Sequence, residues 1–197
     1  MELARLFIGL PLPESYQEGL SGLLRQLRPA VPGTCTWTRP GNWHITLKFL
    51  GEVPMEILPD ITSALACVSF KPVAFRAGGG GFFPSAERPR VMWVGAAEGG
   101  SACVALASDV EAALARAGFA PGERPFSLHL TLARVKSSKP GADWTKPLGI
   151  VLGMKWPAIV LDRFVLWRSY LGGEKGGAGG GPPGPRYVPL GEYGASG

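Results

Sequence analysis

A repeated order of elements constrains this chain more than any other feature of its sequence. In each half, a predicted strand and a predicted helix come before a strand that begins with His-x-Thr-Leu. The segments of the two copies are a strand at 3–10, a helix at 14–28 and HITL at 44–47, then a strand at 90–96, a helix at 101–117 and HLTL at 129–132. The helices are predicted from apolar residues at helical spacing. Repetition of one such unit predicts two pseudo-symmetric lobes rather than a single meander.

The two histidines of the chain, His44 and His129, each begin one of these strands. Side chains alternate between the faces of a strand, so His44 shares a face with Thr46 and Lys48, and His129 shares a face with Thr131. We expect the apolar residues of the first strand to pack inward from the other face: Ile45, Leu47 and Phe49. Each strand thus offers an imidazole and a hydroxyl about 7 Å apart, at roughly 3.3 Å per residue, and one substrate group can contact both.

This pattern allows a structural and a catalytic interpretation. A single H-x-T is more often a half-buried histidine in a core strand, but duplication in a matching context favours a shared site. Two imidazoles suit a general acid and a general base, since histidine titrates near neutral pH, and hydroxyl donors suit phosphoryl oxygens. A metal site is the rival interpretation, yet the sequence lacks H-E-x-x-H and acidic ligands near the histidines. We therefore expect neither a metal nor another cofactor.

The charge of the chain bears on its partner. A formal net charge of +5 and a pI of about 9.3 favour an anionic ligand, because basic proteins attract phosphate groups electrostatically. A solvated basic surface is the alternative, since the sequence contains no basic cluster typical of a nucleic-acid-binding arm. Charge alone does not choose between them.

Cysteine spacing and hydropathy bear on the compartment. Three cysteines without C-x-x-C spacing, Cys35, Cys67 and Cys103, indicate neither a disulfide framework nor a zinc site and fit a reducing cytoplasm. The N-terminal segment does not have the succession of charged region, apolar region and small-residue cleavage site that defines a signal peptide. The apolar run GIVLGMKWPAIVL is broken by Lys155 and Pro157 and is shorter than the roughly 20 residues of a membrane span. We expect a cytoplasmic protein without a membrane segment.

We expect a single bilobal domain over 1–197. Two glycine-rich segments interrupt its pattern of strands and helices. GGGG at 78–81 lacks the Lys and the Ser or Thr of a P-loop, so it indicates a bulge or turn rather than a phosphate cradle. The Gly/Pro-rich segment 172–185 has too little apolar area for its burial to offset the entropy of ordering, and we expect it to be a flexible loop. A further long strand is predicted at 159–171.

The two motifs, whose histidines are 129 − 44 = 85 residues apart, resemble those of the 2H phosphoesterase superfamily. The resemblance is specifically to its bacterial and archaeal RNA 2',3'-cyclic phosphodiesterase branch, also called 2'-5' RNA ligase. It covers nearly the whole chain, since RLFIGLPLP, RVMWVGA, FVLWRSYL and PRYVPL resemble the first, central and closing segments of that family. The departures are Leu128, where a proline usually precedes the second histidine, and the glycine-rich insertion before Tyr187.

The resemblance implies an α+β fold of two lobes, each an antiparallel β-sheet with flanking helices, with the active-site cleft between them. It implies that His44 is the proton donor to the leaving ribose oxygen and His129 the proton acceptor that activates water. Thr46, Thr131 and Arg134 would bind the phosphate. Strict alternation from His129 points Arg134 away from the cleft, so a structural ion pair stays open for that residue.

The implied substrate is RNA or an oligonucleotide with a 2',3'-cyclic phosphate end. Its hydrolysis would need no metal and would give a 2'-phosphomonoester, with 2'-5' ligation as the reverse reaction. Two other functions stay open, another cyclic or 2'-5' nucleotide substrate and a non-catalytic RNA-binding module. Phe7 could stack a base or fill the core, and Arg5 could contact phosphate or form a structural pair. We expect a monomer.

Overall fold

The computed structural model describes residues 2–122, 125–171 and 185–196, and these form an α+β fold. The strands are β1 (Leu3–Pro11), β2 (Gly33–Trp37), β3 (His44–Pro54), β4 (Val73–Ala77), β5 (Gly81–Pro84), β6 (Pro89–Val94), β7 (Ala96–Glu98), β8 (Leu130–Ser138), β9 (Ile159–Leu161), β10 (Arg163–Tyr170) and β11 (Arg186–Gly194). The helices are α1 (Glu14–Leu27), α2 (Leu58–Ala66), α3 (Gly100–Arg116) and α4 (Thr145–Gly153), with a 3-10 turn, Met55–Ile57, before α2.

Two four-stranded antiparallel sheets form the two lobes. The first sheet has the strand order β11-β10-β1-β3 and the second has β2-β8-β6-β5, while β7-β4-β9 form a third, smaller sheet. The lobes do not correspond to the halves of the chain. Strand β2 pairs with β8 in the second lobe, and β10 and β11 complete the sheet of the first. The predicted fold class is therefore confirmed, but each lobe takes strands from both halves.

Helix α1 shows how apolar spacing determines the packing. The side chains at helical spacing are all buried: Tyr16, Leu20, Leu23, Leu24 and Leu27. The Tyr16 hydroxyl donates to the carbonyl of Pro157 at 2.7 Å and accepts from the amide of Ala77 at 3.0 Å. Helix α1 packs against α4, and α3 packs on α2 and β3. The helices thus flank the sheets, as expected for two sheet lobes with a cleft between them.

Several sequence predictions require correction. The strand predicted at 159–171 is two strands, because Asp162 separates β9 from β10 and the two lie in different sheets. Helix α4 was not predicted, since the proline and glycines of its sequence TKPLGIVLG lower helix propensity. Residues 78–80 join β4 to β5, in agreement with a predicted bulge or turn. The loop predicted at 172–185 lies, except for Pro185, outside the described residues, and it stays a prediction, as does the single domain over 1–197.

A β-bulge interrupts each motif strand at the leucine of its His-x-Thr-Leu motif. The pairing of β3 with β1 skips Leu47, and the pairing of β8 with β6 skips Leu132. One extra residue reverses the alternation of side chains beyond the bulge. Phe49 and Arg134, each five residues after the histidine of its motif, therefore turn toward the face that holds the histidine.

The bulge at Leu47 corrects the predicted faces of two residues. Lys48, expected beside His44, is buried on the opposite face, where its Nζ donates to Glu111 Oε1 at 2.6 Å and to the carbonyl of Ala120 at 3.0 Å. Phe49, expected to pack inward, is 65% exposed. Alternation fails at this point because the bulge shifts the register by one residue.

Candidate active site

The two motif strands line one cleft between the lobes, with a volume of about 560 Å³. Its walls include all of the residues that the sequence analysis assigned to the site: His44, Thr46, His129, Thr131 and Arg134. The Thr38 hydroxyl donates to the carbonyl of Thr131 at 2.8 Å and ties β8 to the segment after β2. Two motifs from different sheets thus contribute to a single cavity.

The backbone holds both imidazole rings in the same way. Nδ1 of His44 lies 2.8 Å from the carbonyl oxygen of Asn42, and Nδ1 of His129 lies 2.7 Å from that of Ser127. A carbonyl oxygen can only accept a hydrogen bond, so Nδ1 carries a proton in each ring. Nε2 is then the nitrogen that can gain or lose a proton. The arrangement suits both histidines to proton transfer.

Aromatic rings enclose His44. The ring centroids of Phe7, Trp167 and Tyr187 lie 4.7, 5.4 and 5.4 Å from that of His44. Gly9 permits this packing, since a Cβ there would lie 2.5 Å from the carbonyl oxygen of Ile45 and 3.3 Å from the His44 ring. The enclosure fixes the ring and shields it from water.

Burial gives His44 an unusual proton affinity. Desolvation of the ring lowers the pKa of His44 to about 4, the hydrogen bond to Asn42 opposes this change, and electrostatic repulsion from the His129 ring adds to it. His44 is therefore neutral at pH 7 in the protein alone. His129 has a different environment, with Phe83 edge-on at a centroid distance of 5.1 Å. The two motifs are alike in backbone geometry and unlike in surroundings.

Arg134 lies in the cleft because of the bulge at Leu132. This removes the conflict between strict alternation and a position at the substrate. Among the described residues no ion pair involves Arg134, so the structural-pair interpretation has no support there. The guanidinium faces a cavity that also contains Arg5, and together they give the cleft positive charge.

Phe7 does not offer a free face to a nucleobase. Its side chain is 2% exposed, and its ring packs among His44, Trp167 and Tyr187. These contacts support a role in orienting His44 instead. The expectation that Phe7 either stacks a base or fills the core is resolved toward packing, at the border of core and cleft.

Sequence reasoning missed Tyr187 and Phe49. Tyr187 reaches the cleft from β11, and burial raises the pKa of its phenol while the charges of Arg134 and Arg5 oppose that rise. No local pattern indicated this, because β11 joins the first lobe by long-range pairing. Phe49 was hidden by the bulge, although it also lines the cleft.

Asn42 is a third residue that the sequence analysis did not identify. Its backbone carbonyl accepts the hydrogen bond from His44, and its side-chain Nδ2 donates to the carbonyl of Pro185 at 2.8 Å. Asn42 therefore links the chain just before β11 to the orientation of the first histidine. Its position two residues before His44 was visible in the sequence, but a strand pattern does not report loop contacts.

The described residues offer neither a metal-binding cluster nor a helix that could span a membrane. Within residues 2–122, 125–171 and 185–196, no group of three or more His, Cys, Asp or Glu side chains could hold a metal ion. The expectation of a reaction without metal stays a prediction. Of the helices in the described part of the chain, none is long and apolar enough to cross a bilayer.

Comparison with known proteins places the chain in a family. The model of the LigT like Phosphoesterase family matches it in two consecutive segments, residues 10–93 and 94–174. The RNA 2',3'-cyclic phosphodiesterase of Archaeoglobus fulgidus is 38% identical over 69% of this chain and 75% of its own length. That of Thermus thermophilus is 33% identical over 94% of this chain and 87% of its own.

Solved structures agree with the observed fold. Escherichia coli LigT complexed with 3'-AMP superposes with a TM-score of 0.77 at 24% identity, over 99% of both chains. TT0787 of Thermus thermophilus has a TM-score of 0.75 at 28% identity, over 96% of this chain and 97% of its own. The resemblance first drawn from the two H-x-T-L motifs is thus confirmed, and the chain belongs to the family of LigT-like phosphoesterases.

Proposed function

We propose that this protein is an RNA 2',3'-cyclic phosphodiesterase that hydrolyses a 2',3'-cyclic phosphate end to a 2'-phosphomonoester without a metal ion. The observation that carries the proposal is the pair of imidazoles, His44 and His129, held in one cleft with both Nδ1 atoms bonded to carbonyls. Relatives that are 33% to 38% identical have the name of this activity. Because acid and base must act together on one phosphate, a single cleft containing both is what the reaction requires.

The phosphate would bind between the two motif strands. The hydroxyl groups of Thr46 and Thr131 donate to its oxygens, and the guanidinium of Arg134 neutralises its charge. The substrate monoanion is then flanked by an imidazole on each side. Such preorganised donors also stabilise the additional negative charge that develops on the oxygens in the transition state.

Proton transfer would follow the roles that the family resemblance implies. Nε2 of His129 takes a proton from water, the water oxygen forms a bond to phosphorus, and the bond from phosphorus to O3' breaks. Nε2 of His44 gives its proton to the departing O3', so the number of protons in the site is conserved. The products are a 2'-phosphate and a free 3'-hydroxyl. In 2'-5' ligation a 5'-hydroxyl would replace the attacking water, and the two histidines would keep the same roles.

The low pKa of His44 fits a proton donor only when substrate is bound. In the protein alone, burial keeps this ring neutral at pH 7. A phosphate anion within about 4–6 Å favours the charged imidazole and raises its pKa. Substrate binding would therefore favour protonation of His44, and this is the proton that the ring later gives to the leaving oxygen. Without substrate the ring stays neutral, so the free protein avoids an uncompensated buried charge.

RNA is the proposed partner, and one chain is the proposed functional unit. A net charge of +5 and the guanidinium groups of Arg5, Arg39 and Arg134 in the walls of the cleft suit a polyanion. Both histidines come from the same chain, so a monomer suffices. Cys35, Cys67 and Cys103 are all free thiols, which supports a reducing cytoplasm as the compartment.

The test is incubation with an oligonucleotide that ends in a 2',3'-cyclic phosphate, followed by mapping of the product. We expect a 2'-phosphomonoester from the wild-type protein. Parallel reactions with other cyclic and 2'-5' nucleotides separate this substrate from those of other 2H enzymes. Binding of the oligonucleotide without turnover of any substrate would instead identify a non-catalytic RNA-binding module.

A further inference from the structure

We propose that Gln17, on helix α1, is a positioning residue for His44, because its buried side chain holds the turn whose carbonyl orients the imidazole of the proposed acid. The inference rests on the proposed function and adds to it a residue outside the cleft. Gln17 is not one of the described residues that line the cavity. It therefore acts through the backbone of residues 41–43 rather than on the substrate.

The burial of Gln17 is the first observation. Its side chain is 8% exposed, and the only other buried polar or charged residues that the structure describes are Lys48 and Ser169. The remaining buried residues of α1 are Tyr16 and four leucines. A buried side-chain amide costs free energy unless its donors and its acceptor are bonded. Gln17 therefore needs specific partners at a position where a leucine would need none.

The partners of Gln17 are the second observation. Its Nε2 donates to the carbonyl of Trp43 at 2.9 Å, and its Oε1 accepts from the amide of Gly41 at 3.1 Å. These two backbone groups flank Asn42 in the chain. Both ends of one side-chain amide are thus bonded to the segment that supplies the acceptor for the His44 ring.

The conformation of this segment is the third observation. The amide of Asn42 donates to the carbonyl of Arg39 at 3.0 Å, and Gly41, which lies between them, has a φ of 84°. A proline followed by a glycine at the two central positions is typical of a type II turn. The hydrogen bond of the turn comes before the peptide that contains the Asn42 carbonyl. Gln17 bonds on both sides of that peptide and so fixes the direction of the carbonyl.

The Asn42 carbonyl determines which nitrogen of His44 can act. It accepts the proton of Nδ1 at 2.8 Å, which leaves Nε2 as the nitrogen that gains and releases a proton. If the carbonyl turned away, the neutral ring could adopt the other tautomer, with its proton on Nε2. The charged ring, which has a proton on both nitrogens, would lose the acceptor of one of them in a buried site. Fewer molecules would then hold His44 ready to protonate the leaving oxygen.

The experiment uses the fact that the chain has only two histidines. Protonated and unprotonated ring nitrogens differ widely in ¹⁵N chemical shift, so NMR spectra of protein labelled with ¹⁵N-histidine at pH 8 show the tautomer of each ring. A spectrum of His129→Gln assigns the signals.

The test variant is Gln17→Met, which keeps the length of the side chain and removes both hydrogen bonds. The matched control is Gln26→Met, the same replacement at an exposed position of α1. Steady-state kcat and KM are measured at pH 8 with an oligonucleotide that ends in a 2',3'-cyclic phosphate.

We expect the His44 ring of the wild type to be protonated on Nδ1 and unprotonated on Nε2, and Gln17→Met to shift it toward the opposite tautomer. The His129 ring should keep its tautomer in both proteins, because its acceptor, the carbonyl of Ser127, lies outside the segment that Gln17 contacts. We expect kcat to fall about 10- to 100-fold, the cost of a misplaced catalytic group. KM should stay within about twofold of the wild type, because Gln17 does not contact the substrate. Gln26→Met should change neither the spectrum nor the kinetic constants.

An unchanged His44 tautomer or an unchanged kcat in folded Gln17→Met would overturn the proposal and leave Gln17 a structural residue. An equal change at His129 would overturn it too, because it would indicate general disruption of the protein. If Gln17→Met does not fold, Gln17→Glu decides the question. Its carboxylate can accept from Gly41 but cannot donate to Trp43, so the same changes are expected and their absence refutes the role.

Failure of the wild type to hydrolyse the oligonucleotide would reject the proposed function. The NMR spectra would still show, in that case, whether Gln17 sets the tautomer of His44. The two failures are therefore distinguishable.

Discussion

Replacement of His44 by glutamine should make the stability of the protein less dependent on pH. The pKa of His44 falls from its ordinary value of 6.5 to about 4 in the folded protein. The unfolded chain therefore binds the proton more tightly, so the contribution of this group to stability is fully present above pH 6.5 and is lost as the pH falls toward 4. The shift of 6.5 − 4 = 2.5 pKa units corresponds to about 3.4 kcal/mol in total, of which about 2.4 kcal/mol is lost between pH 7 and pH 4.5.

Urea unfolding of the wild type, His44→Gln and Thr46→Val at pH 7 and pH 4.5 measures this effect. Other groups also titrate in this range, so the comparison between variants isolates the contribution of His44. The loss of unfolding free energy on acidification should be about 2 kcal/mol smaller for His44→Gln than for the wild type. Thr46→Val, which alters the same cleft without removing a titrating group, should lose as much as the wild type. Equal losses in the wild type and His44→Gln would show that the ring is not desolvated and would refute the reasoning.

Three further outcomes are expected. Turnover of a cyclic phosphate should survive EDTA, and activity lost on chelation and restored by one divalent ion would contradict the mechanism. Gly9→Ala should lower the free energy of unfolding by about 1–3 kcal/mol and turnover more than tenfold, because its Cβ meets the backbone of Ile45 and the ring of His44. The control is Gly149→Ala, with no atom within 4 Å of the added Cβ; it should leave turnover unchanged and, as an exposed site in helix α4, raise the free energy of unfolding by about 0.5–1 kcal/mol. Lys48→Met should lower the free energy of unfolding at pH 7 by about 1–3 kcal/mol, because it leaves the Glu111 carboxylate without its buried partner; an unchanged urea midpoint would contradict that contribution.

Local patterns were sufficient to predict the two strands that line the candidate active site. The alternation of His44 with Thr46, and of His129 with Thr131, depends only on the two-residue period of a strand. Duplication of the pattern indicated that both strands serve one site, and the structure places all four side chains in one cleft. The helices α1 and α3 were equally accessible, since each presents an apolar face at helical spacing.

Features that depend on pairing between distant strands could not be predicted from the sequence. The bulges at Leu47 and Leu132 are defined by how β3 pairs with β1 and how β8 pairs with β6. The sequence alone does not show which residues of two distant strands lie opposite each other. For this reason Phe49 was assigned to the wrong face and Arg134 was left in doubt. Likewise, β2 and β10 each lie in the lobe that contains mainly the other half of the chain, and Tyr187 reaches His44 only through that exchange.

The central claim is that His44 and His129 act as one acid-base unit on a single phosphate. The most direct test is the rate of hydrolysis of a 2',3'-cyclic-phosphate oligonucleotide by His44→Ala, His129→Ala and the double variant, with circular dichroism to confirm that each is folded. Each single replacement should lower turnover by roughly 10²- to 10⁴-fold. The double variant should lose far less than the product of the two, because groups that act as a unit are not additive. Near-full activity in either single variant, or losses that multiply in the double variant, would contradict the claim.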